Sequence, residues 1–548
     1  MKKPIYAVLI FLLFSAVQGL CVQPDPKDFI RRSGRNLVVG KSDKTIILRG
    51  FNFGNKVWED GPVPDANHHS ETDFRRLREM RMNVVRFCMD YQLFEDDGKP
   101  YAYRQSAWDW LDKNVAWAKK NGIYLILSMT IPQGGYQSAG EGMALWDVPE
   151  NQKRLKALWK AIAERYKNEP VIAGLELVNE PYVSKSIDQW KTLAGELVST
   201  IRTADKNHLI IVEQLMMVKG GDWRMWFTNK FFLVNDPGIL YTFHFYHPLE
   251  YTHQLCSWAG TGGKEGGKYP DPDRIIAPDR DIAGIQYGIV SENPAVPEGN
   301  SAWTYYEGEK YHVTDPYLLA GKPALQTINN TGAVYFDDIT VNEYGPDGKF
   351  IRTVRESGVN SKTFWTIWSG LNTAAVELTK TDGHSDNASL KITGGAGDAM
   401  CYNDDLRFEM KNGYYYSISG WMKGAGVPAG ARCSLRIGTE SSPSGKLMRR
   451  NKDYLEHRMK TCVQWGIDNN VPLYMGEFGA HRPCFENGRG GINWVRDMVE
   501  LSKKYGLSFT YHAYHESSFG LFRNDVGLPD PEYANDELWD YFKSGNWQ

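Results

Sequence analysis

Eight short apolar runs, most of them separated by stretches of helical period, constrain this chain more than any other feature. The runs are Thr45–Phe53, Asn83–Met89, Tyr124–Thr130, Ile172–Val178, Leu209–Leu215, Leu240–Tyr246, Pro472–Phe478 and Leu507–Tyr514. Each has strand length and is apolar nearly throughout, the pattern of a parallel strand covered on both faces. Between them Ser70–Arg81, Ser106–Lys120, Glu150–Lys167, Ser186–Ala204, Asn451–Asn469 and Gly491–Tyr505 repeat apolar residues at three- and four-residue spacing. Ser70, with Asp73 three residues on, signals a helix start. Parallel strands need a crossover, and eight strands each followed by a helix predict an α/β fold, the (β/α)8 TIM barrel. The rival, a doubly wound sheet, lacks a Gly-rich phosphate turn after any early strand.

The alternation breaks once. About 200 residues separate the sixth run from the helix at Asn451, far more than a strand–helix loop needs. From about Ile282 to Met448 the helical period gives way to short β-type runs, among them Ala333–Val341, Ala388–Ile392, Tyr414–Trp421 and Arg432–Ile437. The expected organisation is a signal peptide over residues 1–19 and a first barrel part over 20–281. An inserted jelly-roll or β-sandwich module follows over 282–448, and a second barrel part over 449–548. A surface loop tolerates such an insertion when the module's ends lie close together.

Composition narrows the function classes. Charged residues make up 24% and hydrophobic ones 42%, the balance of a folded protein. A formal charge of −3 without a block of like charges argues against a nucleic-acid partner. Aromatic residues reach 13%, which suits flat partners for sugar faces or simply a large core. Lys2 and Lys3 precede the apolar run Ile5–Val17 and the small-residue site Val17-Gln18-Gly19, a secretory signal too short to be read as a membrane span. Cys21 raises the question of a lipoprotein, but Leu20 is a poor lipidation context, so export as a soluble extracellular or periplasmic monomer is expected. Seven cysteines without a CxxC pair give no metal-ligand spacing, and export predicts one to three disulfides with a spare thiol.

Two short motifs carry chemistry. Gly174-Leu-Glu-Leu-Val-Asn179-Glu180-Pro181 ends the fourth run in an amide and a carboxylate, and Tyr474-Met-Gly-Glu477-Phe-Gly479 ends the seventh in a carboxylate. Barrel strands present their C-terminal ends to one mouth. Two carboxyls there suit glycoside hydrolysis, one protonated to serve the leaving oxygen and one ionised to attack the anomeric carbon. Either motif alone reads equally well as a turn or a helix cap; the pair is the signal.

With these motifs the chain resembles glycoside hydrolase family five, the cellulase-type retaining barrels, over roughly residues 35–280 and 449–545. Leu48-Arg-Gly-Phe-Asn52, Asn83-Val-Val-Arg86, Asn179-Glu180, His244-Phe-Tyr246, Glu477 and the loop Tyr251-Thr-His-Gln254 with Trp258 carry the likeness. The resemblance implies that Glu180 is the acid/base, Glu477 the nucleophile, and Asn179 the partner of the 2-hydroxyl at subsite −1. It implies that Arg86 and Tyr246 hold Glu477 and that His244 tunes Glu180. Ordinary alternatives are a structural ion pair for Arg86, a core histidine for His244 and core packing for Tyr246. Two departures stand out. The third strand of such enzymes often ends in a histidine, where this chain has Thr130, and the eighth usually offers a tryptophan under the sugar, where this chain has His512.

The expected substrate is a polysaccharide or oligosaccharide, foremost β-1,4-glucan attacked within the chain. Mannan, xyloglucan, xylan and exo-action are the alternatives within enzymes, and a non-catalytic glycan-binding barrel is the alternative outside them. Trp58, Trp146, Trp223, Trp226 and Trp258 follow strands on the active side, and two of the five are expected to be sugar platforms. In the insert, Ala333–Val341, Ser389–Ile392 and Tyr414–Lys423 resemble strands of family-four-type carbohydrate-binding jelly rolls, with the strand expected last coming first, as in a circular permutation. Trp303, Trp365, Trp368 and Trp421 are available there for glycan binding or for the core. No cofactor or metal is expected for catalysis. Asp337 and Asp338 offer hard oxygens for a structural calcium, or are turn-facing acids.

Overall fold

A computed structural model describes residues 28–58, 68–138, 140–221, 230–259, 263–276, 286–359, 365–369, 374–395, 397–441, 447–524 and 526–548. The signal-peptide reading of residues 1–19 therefore lies outside the described residues, as do Trp223 and Trp226. Eight parallel strands close into a barrel: β1 Arg49–Phe53, β2 Val84–Asp90, β3 Tyr124–Ile131, β4 Ile172–Glu176, β5 Leu209–Glu213, β6 Ile239–His244, β7 Leu473–Phe478 and β8 Ser508–Tyr511. Each pairs with the next, and β8 returns to β1 with Phe509 opposite Arg49. Residues 44–46 do not belong to β1, contrary to the sequence reading. They pair in an antiparallel sheet with Ile30–Ser33 and Asn36–Val39. Its apolar face, Ile30, Leu37, Val39 and Ile46, packs on Val84, Tyr124, Leu209 and Tyr474 at the strands' N-terminal ends, away from the mouth.

The helices cover the outside for local reasons. Glu71–Glu79 starts on a capping box in which the Ser70 amide donates to Asp73 Oδ2 at 2.7 Å. Gln105–Asn121 and Gly491–Tyr505 both stop at a left-handed glycine, Gly122 and Gly506. The last helix, Asp536–Ser544, has no counterpart in the sequence reading; nine residues are too few for a clear period, yet its buried Phe542 seals the barrel against Phe51 and Tyr511.

The insert is a β-sandwich with its own core. One sheet runs Gln286–Val290, Arg432–Ser441, Leu318–Ile328, Asp398–Asn403, Trp365–Ser369. The other runs Thr304–Glu307, Tyr415–Ala425, Ala333–Tyr344, Ser389–Thr393, Ala375–Thr379. Alternation sets the layers: Tyr416, Ile418 and Met422 face the core, while Trp421 and Lys423 face outward. Ala333–Tyr344 pairs with later strands on both sides. Asp271–Ile276 and Met448–Arg450 form an antiparallel two-stranded stem that brings the two chain crossings together. Arg355 adds a hydrogen bond to the Asp273 carbonyl at 2.9 Å, and Arg274 pairs with Asp405.

The expected disulfides do not form among the described residues: none joins any two of Cys88, Cys256, Cys401, Cys433, Cys462 and Cys484. Cys401 and Cys433 sit on strands flanking Leu318–Ile328, opposite Leu325 and Thr327. Two strand spacings and a two-residue offset along the strand put them more than about 9 Å apart, beyond disulfide reach. Burial pushes the Cys88, Cys433, Cys462 and Cys484 thiols up to about 12, so they pack as small apolar groups. None of the described helices is long and apolar enough to cross a membrane.

Candidate active site

Arg86, fully buried on β2, is the hub of the barrel mouth. Its Nη1 donates to Glu477 Oε1 at 2.7 Å, and its Nη2 donates to Asn179 Oδ1 at 2.7 Å and Glu176 Oε1 at 2.6 Å. Its Nε donates to Glu176 Oε2 at 2.8 Å. One guanidinium thus compensates two buried carboxylates and aims the Asn179 amide. Glu477 ends β7, and Tyr246 donates to its other oxygen at 2.7 Å. Residue 476 must be glycine, because a Cβ there would stand 2.7 Å from Thr242 Oγ1 and 3.2 Å from His244 Nε2.

Glu180 lies just past β4 with φ at +44°, a left-handed conformation costly for a side chain of this size. Its backbone amide donates to Glu213 Oε2 at 2.9 Å. His244 ends β6, where a register shift places it opposite Glu477. Its Nδ1 is 2.7 Å from Glu180 Oε1 and 3.5 Å from Glu477 Oε2, and its Nε2 is 3.5 Å from Glu213 Oε1. Single oxygens of Glu180 and Glu477 lie within 4.8 Å of each other.

The charges follow from this packing. Burial alone would push the Glu477 carboxyl up, but His244, His512, Arg86 and the Tyr246 hydroxyl hold it well below the usual carboxylate range. Burial opposes charge on His244, yet Glu213, Glu477 and Glu180 raise it to about 9. Burial, with Glu180 and Glu176 nearby, raises Glu213, against the pull of His244. The surroundings thus keep Glu477 ionised, with a proton held close to Glu180 by His244 and Glu213.

The sequence-derived residues come together here. Arg86, Asn179, Glu180, His244, Tyr246 and Glu477 form one contiguous network, as the distances above give. His512 sits beside it, its Nδ1 3.5 Å from Asn52 Nδ2 and its Nε2 3.2 Å from Glu516. Glu477 and Glu516 raise His512 against its burial. Trp58 meets that imidazole edge-on at 5.4 Å. Thr130, in the strand position often held by histidine, is buried near the Cys88 thiol. Trp258 is 66% exposed, resting on His253 and Phe519. Trp146 is not a platform: it is buried beside Trp190, with its Nε1 on Gln137.

Three residues of the site escaped the sequence reading. Glu176 and Glu213 were readable in principle, since a carboxylate inside an apolar strand run must have a buried partner. Tyr136, half-buried on the loop after β3 and close to Ser138, Trp58 and Glu180, carried no such signal. Metal-ligand spacing forms twice among the described residues, at Glu176, Glu213 and His244 and at Glu180, His244 and Glu477. In both, the arginine or the imidazole already supplies countercharge. Asp337 and Asp338 in the insert instead accept hydrogen bonds from the His384 amide and imidazole, the Asp338 amide and the Ser385 hydroxyl at 2.7–2.8 Å.

A model of the cellulase family, glycosyl hydrolase family 5, matches residues 40–272. Endoglucanase C of Acetivibrio thermocellus is 29% identical over 191 residues, 35% of this chain and 54% of that protein. Cellodextrinase A of Ruminococcus flavefaciens is 26% identical over 216 residues, 39% of this chain and 62% of that one. The chain thus spans about half the length of the curated relatives it matches. The endoglucanase Cel5A of Thermotoga maritima superposes over 90% of this chain and 96% of its own, at 17% identity and a TM-score of 0.46.

Proposed function

We propose that the barrel is that of a glycosyl hydrolase family 5 member, the cellulase type whose model matches residues 40–272, and that the chain is a retaining endo-β-glycanase acting on β-1,4-glucan. The observation that carries the reading is the pair Glu180 and Glu477. One oxygen of each lies within 4.8 Å of one oxygen of the other, with one carboxyl pinned by Arg86 and Tyr246 and the other faced by His244. Retaining pairs stand about 5–5.5 Å apart, whereas inverting pairs leave about 6.5–9.5 Å for a water. Glu477 attacks the anomeric carbon while Glu180 protonates the leaving oxygen. Glu180 then takes a proton from water, which releases the glycosyl group with its configuration retained. Asn179, aimed by Arg86, binds the 2-hydroxyl at subsite −1, and Trp258 offers its exposed face to a neighbouring sugar. The relatives named endoglucanases support the choice of β-1,4-glucan, and the apolar segment Ile5–Val17 supports export, with the protein acting as a soluble monomer.

The test is product analysis on carboxymethyl-cellulose, mixed-linkage glucan, glucomannan, galactomannan, xyloglucan and arabinoxylan, with wild type beside Glu477→Gln. Oligosaccharides released from a β-1,4-glucan and lost in the variant support the reading. Release from mannan or xylan alone moves the substrate. Binding without release makes the barrel a glycan-binding protein.

A further inference from the structure

Glu213 is a buried carboxyl to which the mechanism above gives no part. It is the last residue of β5, and its side chain reaches the acid/base residue by two routes. Oε2 accepts the Glu180 amide at 2.9 Å, and Oε1 faces His244 Nε2 at 3.5 Å. That Nε2 is buried and has no hydrogen-bond partner. The other imidazole nitrogen, Nδ1, stands on Glu180 Oε1 at 2.7 Å. Glu180, Glu213 and His244 therefore close a ring in which β5 holds both the backbone and, through β6, the carboxyl of one residue.

We propose that Glu213 is a positioning residue and proton store for Glu180, an inference that rests on the glycosidase reading. Its first task is mechanical. Glu180 adopts the left-handed conformation, and a buried acceptor on its amide keeps the side chain aimed at the leaving oxygen.

Its second task is protonic. Two donors facing each other across the Oε1–Nε2 gap would repel, as would two acceptors, so that gap holds one hydrogen. With Glu180 protonated, the hydrogen rests on Glu213 Oε1, and the neutral imidazole donates Nδ1–H to Glu180 Oε1. When Glu180 gives its proton to the leaving oxygen, it becomes anionic. The hydrogen then moves from Oε1 to Nε2, and an imidazolium faces the new carboxylate while Glu213 carries the negative charge. No atom is lost: the proton returns to Oε1 when Glu180 takes one from the attacking water. The groups facing this pair are Glu176 and Glu180 from β4 and the turn after it, Arg86 from β2 and Glu477 from β7. Lys230, ahead of β6, also feels the Glu213 charge.

The test compares wild type and Glu213→Gln on aryl β-cellobiosides whose leaving groups differ in acidity. Glutamine keeps an acceptor for the Glu180 amide but has no proton to move. A 2,4-dinitrophenyl leaving group departs without acid assistance, so its kcat/KM should stay within about twofold. An unactivated alkylphenyl leaving group needs the acid, and its kcat/KM should fall at least about tenfold. A change that is equal for both substrates, or absent, overturns the inference and leaves the glycosidase reading standing. A wild type that cleaves neither these substrates nor the polysaccharides overturns both. Should Glu213→Gln not fold, Glu213→Asp, which draws the carboxyl back from both the Glu180 amide and His244 Nε2, must give the same split.

Discussion

Arg86 is the residue on which the mouth depends, because its one positive charge is surrounded by two carboxylates and an amide oxygen in a buried site. Removing one partner of a buried pair leaves an uncompensated charge, which typically costs about 3–5 kcal/mol. Arg86→Met strands both Glu176 and Glu477, so denaturant unfolding should show a loss at the upper end of that range, about 5 kcal/mol. Adding Glu176→Gln removes one of the stranded charges. The double variant should recover roughly half of the stability but none of the activity, because Glu477 and Asn179 still lack their donor. Equal activity loss without a stability loss would mean that Glu176 stays hydrated. Tyr246→Phe deletes only the hydroxyl on Glu477 Oε2, so kcat should fall by about tenfold or more with little change in melting temperature. At this scale the candidate pair and its holders were legible, since Asn179-Glu180, His244-Phe-Tyr246 and Glu477 are local patterns. Glu176 as the partner of Arg86 was not, because the pairing joins β2 to β4 and exists only once the barrel closes.

Among the elements, β5 and β6 carry the clearest pH signature. The native His244 binds its proton up to about 9, above its unfolded value of about 6.5. Its contribution to stability is therefore complete below about 6.5 and disappears as pH rises toward 9. Glu213 is also raised in the folded state, so the native protein binds protons that the unfolded chain has released, and stability falls with rising pH from about 4.5 upward. The two signs agree. Glu213→Gln removes the raised carboxyl and the largest attraction on His244, so its melting temperature should decline less between pH 5 and 9 than that of wild type. Scanning calorimetry at four pH values decides this, and parallel curves would refute it. The strands themselves were readable because a parallel strand covered on both faces is an unbroken apolar run. The exceptions have definite causes. Lys44–Ile46 merges with β1 in sequence although the chain turns between them, and Asp536–Ser544 is too short to show its period.

On the scale of the whole molecule, the barrel and the insert are two cores on one chain. The barrel cluster around Phe87, Trp159 and Trp494 and the insert cluster around Phe336, Ile418 and Leu435 share no residue. What joins them is the stem of Asp271–Ile276 against Met448–Arg450, with the Arg355 and Arg274 contacts beside it. The stem is anchored on the barrel side, where the buried Arg450 donates to the Gly266 carbonyl and pairs with Glu250 at 3.2 Å. The helix Lys452–Asp468 then starts at once on its Asn451 cap. Sequence exposed the interruption through a change of period, but not this stem, whose strands are short and charged. The arrangement allows the insert to be removed without opening the barrel. Replacing residues 277–447 by a short turn closes a hairpin whose strands already pair. The shortened chain should melt cooperatively and cleave a soluble aryl β-cellobioside with kcat/KM within about threefold of the full chain. Insoluble cellulose reads the insert separately. If the sandwich holds glycan, pull-down on cellulose weakens in the shortened chain while the soluble rate stays; if the soluble rate collapses in a chain that still folds, the insert builds part of the cleft.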